Sequence, residues 1–139
     1  MRNNPTMASF SDQQLWDAVA FIWQSNTTLS ALSEARSLYA ANCAACHGES
    51  GGGDGVFSGE QAQVQNEAHG TPSGHEVVRS SDFTDPHHML STSPAALQGK
   101  ILRGGMGTGM PMWGVIFTDE QTWSLVSYLY TFQFERFEK

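Results

Sequence analysis

Basic side chains are scarce in this sequence. The chain of 139 residues contains 7 lysines and arginines against 14 aspartates and glutamates, which gives a formal net charge of −7 at pH 7. A chain with this balance lacks the basic surface that binds nucleic-acid phosphates, so nucleic acid is not an expected partner. The excess of carboxylates either favours a partner with a basic docking patch or serves only to keep the surface soluble.

Long apolar runs are also missing. No stretch approaches the roughly 20 apolar residues that a membrane-spanning helix requires, so we expect no membrane span in this chain. The first five residues, Met1 to Pro5, do not form the apolar core of a secretory signal peptide. If the protein is exported, we therefore expect this chain to be a mature or excised piece.

Cysteine occurs only at Cys43 and Cys46, within the motif Cys43-Ala44-Ala45-Cys46-His47. Two thiols on one helical turn can each form a thioether with a haem vinyl group, and the imidazole that follows can bind the iron. A thioredoxin-type dithiol follows a strand, whereas a helical stretch precedes this motif, and a zinc site would need two further ligands. The motif therefore predicts one covalently attached haem c and leaves no cysteine for a disulfide.

A methionine lies far downstream in the glycine-rich segment Gly107-Thr108-Gly109-Met110-Pro111-Met112-Trp113-Gly114. A thioether is a soft ligand that suits the sixth position of a haem iron. Glycine allows the backbone to approach the ring, and Pro111 stiffens the loop that holds the Met110 sulfur. We interpret Met106 and Met112, which flank this loop, as packing methionines.

These features together resemble a class I cytochrome c domain, with its Cys-x-x-Cys-His helix, glycine-rich stretch and later Gly-Met-Pro loop. The resemblance implies that His47 is the proximal iron ligand and Met110 the distal one. It implies an all-α fold in which about four main helices surround one haem. It also implies redox protein partners, and a periplasmic or other extracytoplasmic location.

The resemblance further suggests haem contacts outside the two motifs. Phe83, in the segment Asp82-Phe83-Thr84-Asp85-Pro86, is expected to pack in the core or against the haem. Pro111 is expected to border the haem beside its ligand. Arg103 either binds a haem propionate or is a solvated surface residue. Ala35 stands where the family usually has a glycine at the crossing with the closing helix.

Other histidines compete with this ligand pair. The run His87-His88-Met89 contains two adjacent imidazoles, but neighbouring side chains on a helix or strand diverge, so ligation by two histidines is the less favoured alternative. His69 and His75 lie in the polar segment 60–81, which we interpret as an inserted loop, and both are expected to face solvent.

Capping signals and apolar spacing predict four helices. Ser11 with Gln14, and Thr118 with Gln121, have the spacing of a capping box, and Ser93-Pro94 is a typical helix start. Glycine after Arg103 is a typical helix end. The predicted helices cover residues 10–23, 33–46, 93–103 and 118–132.

The first predicted helix repeats the last one. Phe10-Ser11-Asp12-Gln13-Gln14-Leu15-Trp16 parallels Phe117-Thr118-Asp119-Glu120-Gln121-Thr122-Trp123. We therefore divide the chain into an N-terminal helix and linker, 1–30, and a cytochrome c domain, 31–139. The 1–30 segment is either the tail of a preceding cytochrome domain in a tandem multi-haem protein or an ordinary N-terminal amphipathic helix.

The predicted ligand pair indicates electron transfer. Two strong-field ligands leave no open position on the iron, so its geometry changes little when it gains an electron. We expect a one-electron carrier, or a relay domain of a larger oxidoreductase, and not an enzyme in its own right. The alternative is a haem enzyme or gas sensor with a displaceable sixth ligand, against which the Met110 loop argues.

Overall fold

The computed structural model describes residues 27–58, 79–105 and 108–133, together with Ser11, Gln14 and Ala18. These ranges contain five α-helices and a short 3-10 helix between the last two: α1 (Leu29–Asn42), α2 (Ala44–His47), α3 (Pro86–Ser91), α4 (Pro94–Arg103), the 3-10 helix (Trp113–Val115) and α5 (Asp119–Thr131). The same ranges hold no named strand, so the predicted all-α fold is confirmed. None of the helices described there has the length and apolar character needed to cross a membrane.

Side-chain caps fix where the longer helices begin. The cap residue in each case accepts a hydrogen bond from a backbone N–H of the first turn, which would otherwise lack a partner. The cap residues are Thr28 for α1, Asp85 for α3, Ser93 for α4 and Thr118 for α5. The predicted start of α4 and the capping box of α5 are thus confirmed. The reciprocal bonds between Ser11 and Gln14 are present as well.

Replacing Thr118 with alanine removes the hydroxyl that accepts from the Gln121 N–H at 3.2 Å. We expect the free energy of unfolding to fall by about 1 kcal/mol, because one N–H of α5 loses its partner. Denaturant unfolding measures the change, with Ser124→Ala inside the same helix as the control. Equal stabilities for the two variants would contradict this role of the cap.

The core forms where α1 packs across α5. Ala35 is fully buried there, so its methyl group is accommodated in the crossing. The ring centroid of Tyr39 lies 5.4 Å from that of Tyr128 and 5.3 Å from that of Phe132. Tilted aromatic pairs of this kind each contribute about 0.5–1.5 kcal/mol beyond the area they bury. The same crossing therefore holds α1, the helix that leads directly into the cysteine motif.

The observed helices differ from the predicted ones in three places. The predicted 33–46 helix is two helices in the structure, because α1 ends at Asn42 and α2 begins at Ala44. The helix α1 begins at Leu29, before the predicted Ser33, because Thr28 caps it. The helix α3 is a further short element that the sequence pattern does not predict. Much of the predicted 10–23 helix and of the 60–81 segment, with His69 and His75, lies outside the described residues.

Candidate functional site

The loop that follows the cysteine motif is hydrogen-bonded to the backbone of the motif. Three backbone N–H groups of residues 48–57 donate to the last three carbonyl oxygens of the motif: Gly53 to His47 (2.8 Å), Gly55 to Cys46 (3.2 Å) and Phe57 to Ala45 (2.8 Å). A Cβ at Gly55 would lie 2.4 Å from the Ala45 oxygen, so this approach requires glycine. The glycine-rich loop therefore satisfies the end of the helix and fixes the backbone at the histidine.

A main-chain carbonyl orients the His47 imidazole. Its Nδ1 lies 3.2 Å from the Ser81 oxygen, and a carbonyl oxygen only accepts, so Nδ1 carries the proton and Nε2 keeps its lone pair. Burial lowers the pKa of His47, although the hydrogen bond to Ser81 acts in the opposite direction. The ring is therefore held in its neutral form, which is the form that binds a metal ion.

Phe83 lies beside that imidazole. The centroids of the two rings are 4.6 Å apart and their planes are 27° apart. The Phe83 side chain is buried and belongs to the core cluster. Its predicted position in the core is confirmed, and any contact with a haem stays a prediction. The imidazole is thus limited by a hydrogen bond at one nitrogen and by a stacked ring on one face.

Cys43 and Cys46 both carry a half-buried thiol group. Burial raises the pKa of Cys43 to about 11, with a further contribution from Cys46. Burial also raises the pKa of Cys46. Because the pKa of each thiol is raised, both residues are kept as protonated thiols near neutral pH. The thiolate is the form of cysteine that is oxidised. Neither cysteine is part of a disulfide in this structure, so both sulfurs are available for covalent attachment.

The Met110 loop is closed by its own hydrogen bonds. The Gly105 N–H donates to the Met110 carbonyl oxygen at 3.2 Å, in an isolated antiparallel bridge. The Thr108 hydroxyl donates to the Gly105 carbonyl oxygen at 2.8 Å. The Met110 side chain is half-buried and packs against the same core cluster as Cys43. One core therefore contacts both predicted haem-binding segments.

The other residues that are predicted to contact the haem near this loop lie at the surface. Pro111 is exposed. Arg103 is also exposed, and its guanidinium lies along its own helix, since a Cβ at Gly99 would be 2.9 Å from an Arg103 Nη2 atom. A propionate contact from Arg103 stays a prediction. Met112 is 59 % exposed, so it does not have the packing role that we predict from the sequence. Met106 lies outside the described residues.

The competing ligands on α3 point in different directions from one another. His87 is exposed, His88 is half-buried, and Met89 is fully buried in the core cluster. Within ranges 27–58, 79–105 and 108–133, no three His, Cys, Asp or Glu side chains come together as a possible metal site. Met89 therefore acts as a packing residue in this structure.

Two residues near the imidazole are not identifiable from the sequence. Ser81 acts through its carbonyl oxygen, which every residue type possesses. Gln133 follows α5, and its Nε2 donates to the carbonyl oxygen of Phe83, 50 positions earlier in the chain. Neither residue type nor local spacing signals such a long-range contact to a main-chain atom.

The chemistry of these donors fits a covalently bound haem. Two thiols three positions apart precede a neutral imidazole. The Ser81 hydrogen bond uses Nδ1 of that ring and does not involve the lone pair on Nε2. A thioether on a separate, hydrogen-bonded loop supplies the second type of ligand that haem iron accepts. The set contains every donor type that attachment and two-sided ligation require.

Comparison with known proteins identifies a family. The family model described as Cytochrome c matches residues 32–133. No curated protein and no solved structure matches the chain. The matched range begins in α1 and ends at the last residue described after α5, so it contains both the cysteine motif and the methionine loop.

Proposed function

Since the chain belongs to the cytochrome c family, we propose that it carries one electron at a time through a single haem c held by Cys43, Cys46, His47 and Met110. Covalent haem binding and electron transfer between redox proteins are the general function of this family. The proposal adds the ligand pair, the number of haems and the role of a carrier or relay domain.

The state of the His47 ring is the observation that supports this proposal most directly. Its Nδ1 is committed to the Ser81 carbonyl oxygen, and its pKa is lowered by burial. A neutral imidazole with a fixed Nδ1 proton presents Nε2 as a ligand of fixed orientation. The hydrogen bond also makes the imidazole more basic, which strengthens its bond to a metal ion.

The remaining residues have distinct roles in the proposed site. Cys43 and Cys46 would anchor the haem through thioether bonds, and His47 and Met110 would supply a nitrogen and a sulfur ligand to its iron. When bound, the haem supplies an iron that alternates between two oxidation states. A methionine ligand favours the reduced state more than a second histidine does, so it raises the reduction potential. Ligands on both sides leave little opportunity for a substrate to bind.

The setting of this site in the cell is part of the same proposal. Cytochrome c domains are typically extracytoplasmic, and we propose a periplasmic location for this one. Its partners are other redox proteins, and the net charge of −7 favours a partner with a basic docking patch. Steering by such charges weakens as the salt concentration rises.

The 1–30 segment is proposed to be the tail of a preceding cytochrome domain. The hydrogen bonds between Ser11 and Gln14 correspond to the capping box of Thr118 and Gln121 at the start of α5. Ser11 and Gln14 therefore exchange the same reciprocal pair of hydrogen bonds as Thr118 and Gln121. A second Cys-x-x-Cys-His motif upstream in the parent reading frame is the expected finding, and its absence would contradict the tandem arrangement.

The proposed function is tested on protein matured in a host that attaches haem c. We expect one haem per chain, a low-spin six-coordinate spectrum and reversible reduction by one electron. Carbon monoxide should bind the reduced protein poorly at neutral pH, because Met110 occupies the sixth position. Ready carbon monoxide binding or a five-coordinate high-spin spectrum would instead indicate a haem enzyme or gas sensor.

A further inference from the structure

The end of α5 is tied to the segment that holds the imidazole. Gln133, two residues beyond the helix, donates from Nε2 to the carbonyl oxygen of Phe83. The Phe83 N–H donates to the Gly51 carbonyl oxygen at 2.7 Å. Both backbone polar groups of Phe83 are therefore used, one by the glycine-rich loop and one by the Gln133 side chain.

Phe83 and Ser81 both contact the His47 ring. The ring of Phe83 stacks on the imidazole with a centroid separation of 4.6 Å, and the Ser81 oxygen accepts from Nδ1. Only one residue separates the two in the chain. A displacement of the Phe83 backbone must therefore alter both the stacked ring and the carbonyl that orients the imidazole.

The residue that follows α5, Phe132, packs on the Gly51 side of this arrangement. A Cβ at Gly51 would lie 2.8 Å from Cδ2 of Phe132, so the Phe132 ring rests directly on the loop backbone. Phe132 is 3 % exposed and packs against Tyr39. Phe132 thus holds the loop by packing, whereas Gln133 is the residue next to it that holds Phe83 by a directed hydrogen bond.

We propose that Gln133 is a positioning residue for His47, acting through Phe83 and Ser81 to set the strength of the hydrogen bond at Nδ1. The proposal rests on the proposed ligation of a haem by His47. An amide donor to a main-chain oxygen holds one geometry, whereas an apolar side chain of similar size fills the space without fixing the oxygen. Gln133 would in this way tune the site without touching the imidazole.

The direction of the effect follows from the basicity of the imidazole. A hydrogen bond from Nδ1 to a carbonyl oxygen makes the ring a stronger electron donor, which favours oxidised iron. Loss of the Gln133 donor should loosen the 81–83 segment and weaken that hydrogen bond. The imidazole then donates less, so the potential should become more positive.

The test compares matured wild-type protein with Gln133→Leu. Direct loss of a partner to a metal-bound histidine changes affinity or activity by about 10–100-fold, and Gln133 acts one step further away, so we expect the equilibrium constant for reduction to rise about two- to tenfold. NMR should also show that the His47 Nδ1 proton exchanges with solvent faster than in wild type. If Gln133→Leu does not mature, Gln133→Ala gives the same comparison with a smaller side chain.

Gln98→Leu is the matched control. The Gln98 Nε2 donates to Asp119 Oδ1 at 2.8 Å and to Thr122 Oγ1 at 3.2 Å, so this variant also removes an amide that anchors α5, but at its other end. We expect Gln98→Leu to lose stability while the potential and the Nδ1 exchange rate stay at their wild-type values. Equal shifts in both variants, or no shift in Gln133→Leu, would overturn the proposal.

The same measurements separate this inference from the proposed function. A wild-type protein without a low-spin spectrum of histidine and methionine ligation would mean that the proposed ligand pair is wrong. A wild-type protein with that spectrum, and a Gln133→Leu variant that is indistinguishable from it, would leave the ligand pair in place and remove only the role of Gln133.

Discussion

Replacing Met110 with alanine should remove the proposed sulfur ligand and open the sixth coordination position. We expect the oxidised protein to lose the charge-transfer band near the red end of its visible spectrum. The potential should fall by on the order of 0.1 V, within the range of about 0.8 V that axial ligands span. Carbon monoxide should then bind the reduced variant readily.

Met112→Ala is the control for this prediction. Met112 lies two residues away in the same loop, and its side chain is 59 % exposed, whereas that of Met110 is half-buried against the core. We expect Met112→Ala to keep the band, the potential and the resistance to carbon monoxide. A band that survives in Met110→Ala, or that disappears in Met112→Ala, would show that another sulfur binds the iron.

Replacing Gly104 with alanine should displace the methionine loop without changing any ligand. Gly104 has φ +68° and ψ −172°, a backbone conformation that is essentially confined to glycine. Imposing it on alanine costs about 1–3 kcal/mol. The added Cβ would also lie 2.5 Å from the carbonyl oxygen of Met110 and 2.7 Å from that of Pro111. Relief of this contact requires movement of the backbone that carries the sulfur.

Two measurements follow from that geometry. We expect Gly104→Ala to unfold at a lower denaturant concentration than wild type. Its free energy of unfolding should be lower by about 1–3 kcal/mol. We also expect part of the oxidised protein to lose the methionine band, because the displaced loop would no longer hold Met110 in the position of the proposed ligand. A variant that matches wild type in both respects would contradict the fixed position of this loop.

Gly99→Ala is the matched control, since it makes the same substitution five residues earlier in α4. The contact of its added Cβ is with the end of the flexible Arg103 side chain, 2.9 Å away, and the backbone there is helical. The guanidinium is free to turn outward, and alanine is favoured over glycine in a helix by about 1 kcal/mol. We therefore expect little loss of stability and an unchanged spectrum.

The parts of the fold that depend on local residue patterns could be predicted. The capping boxes and the Ser93-Pro94 start of α4 involve residues within one helical turn, so their side chains identify them directly. The spacing of Leu97 and Ile101 predicts one inward face of α4, and both are buried. The apolar stripe predicted for α5 consists of Trp123, Val126 and Tyr130 and is likewise local. Val126 and Tyr130 are buried, and Trp123 is half-buried against the core.

The arrangement around His47 could not be predicted, because it depends on contacts between distant segments. The cysteine motif predicts that His47 binds the iron, but it does not predict which groups contact the rest of the imidazole ring. Ser81 contributes a backbone atom, and Gln133 reaches a backbone atom of Phe83. Such contacts join segments that are distant in the chain and carry no residue signature of their own.

The use of a main-chain oxygen at position 81 has a consequence for the history of this protein. Every amino acid provides that oxygen, so mutation at Ser81 can change the side chain while the imidazole keeps its partner. Natural variation at this site should therefore be broad among descendants of this sequence. The hydrogen bond at Nδ1 would then be retained through the backbone conformation, while the amino acid at position 81 changes.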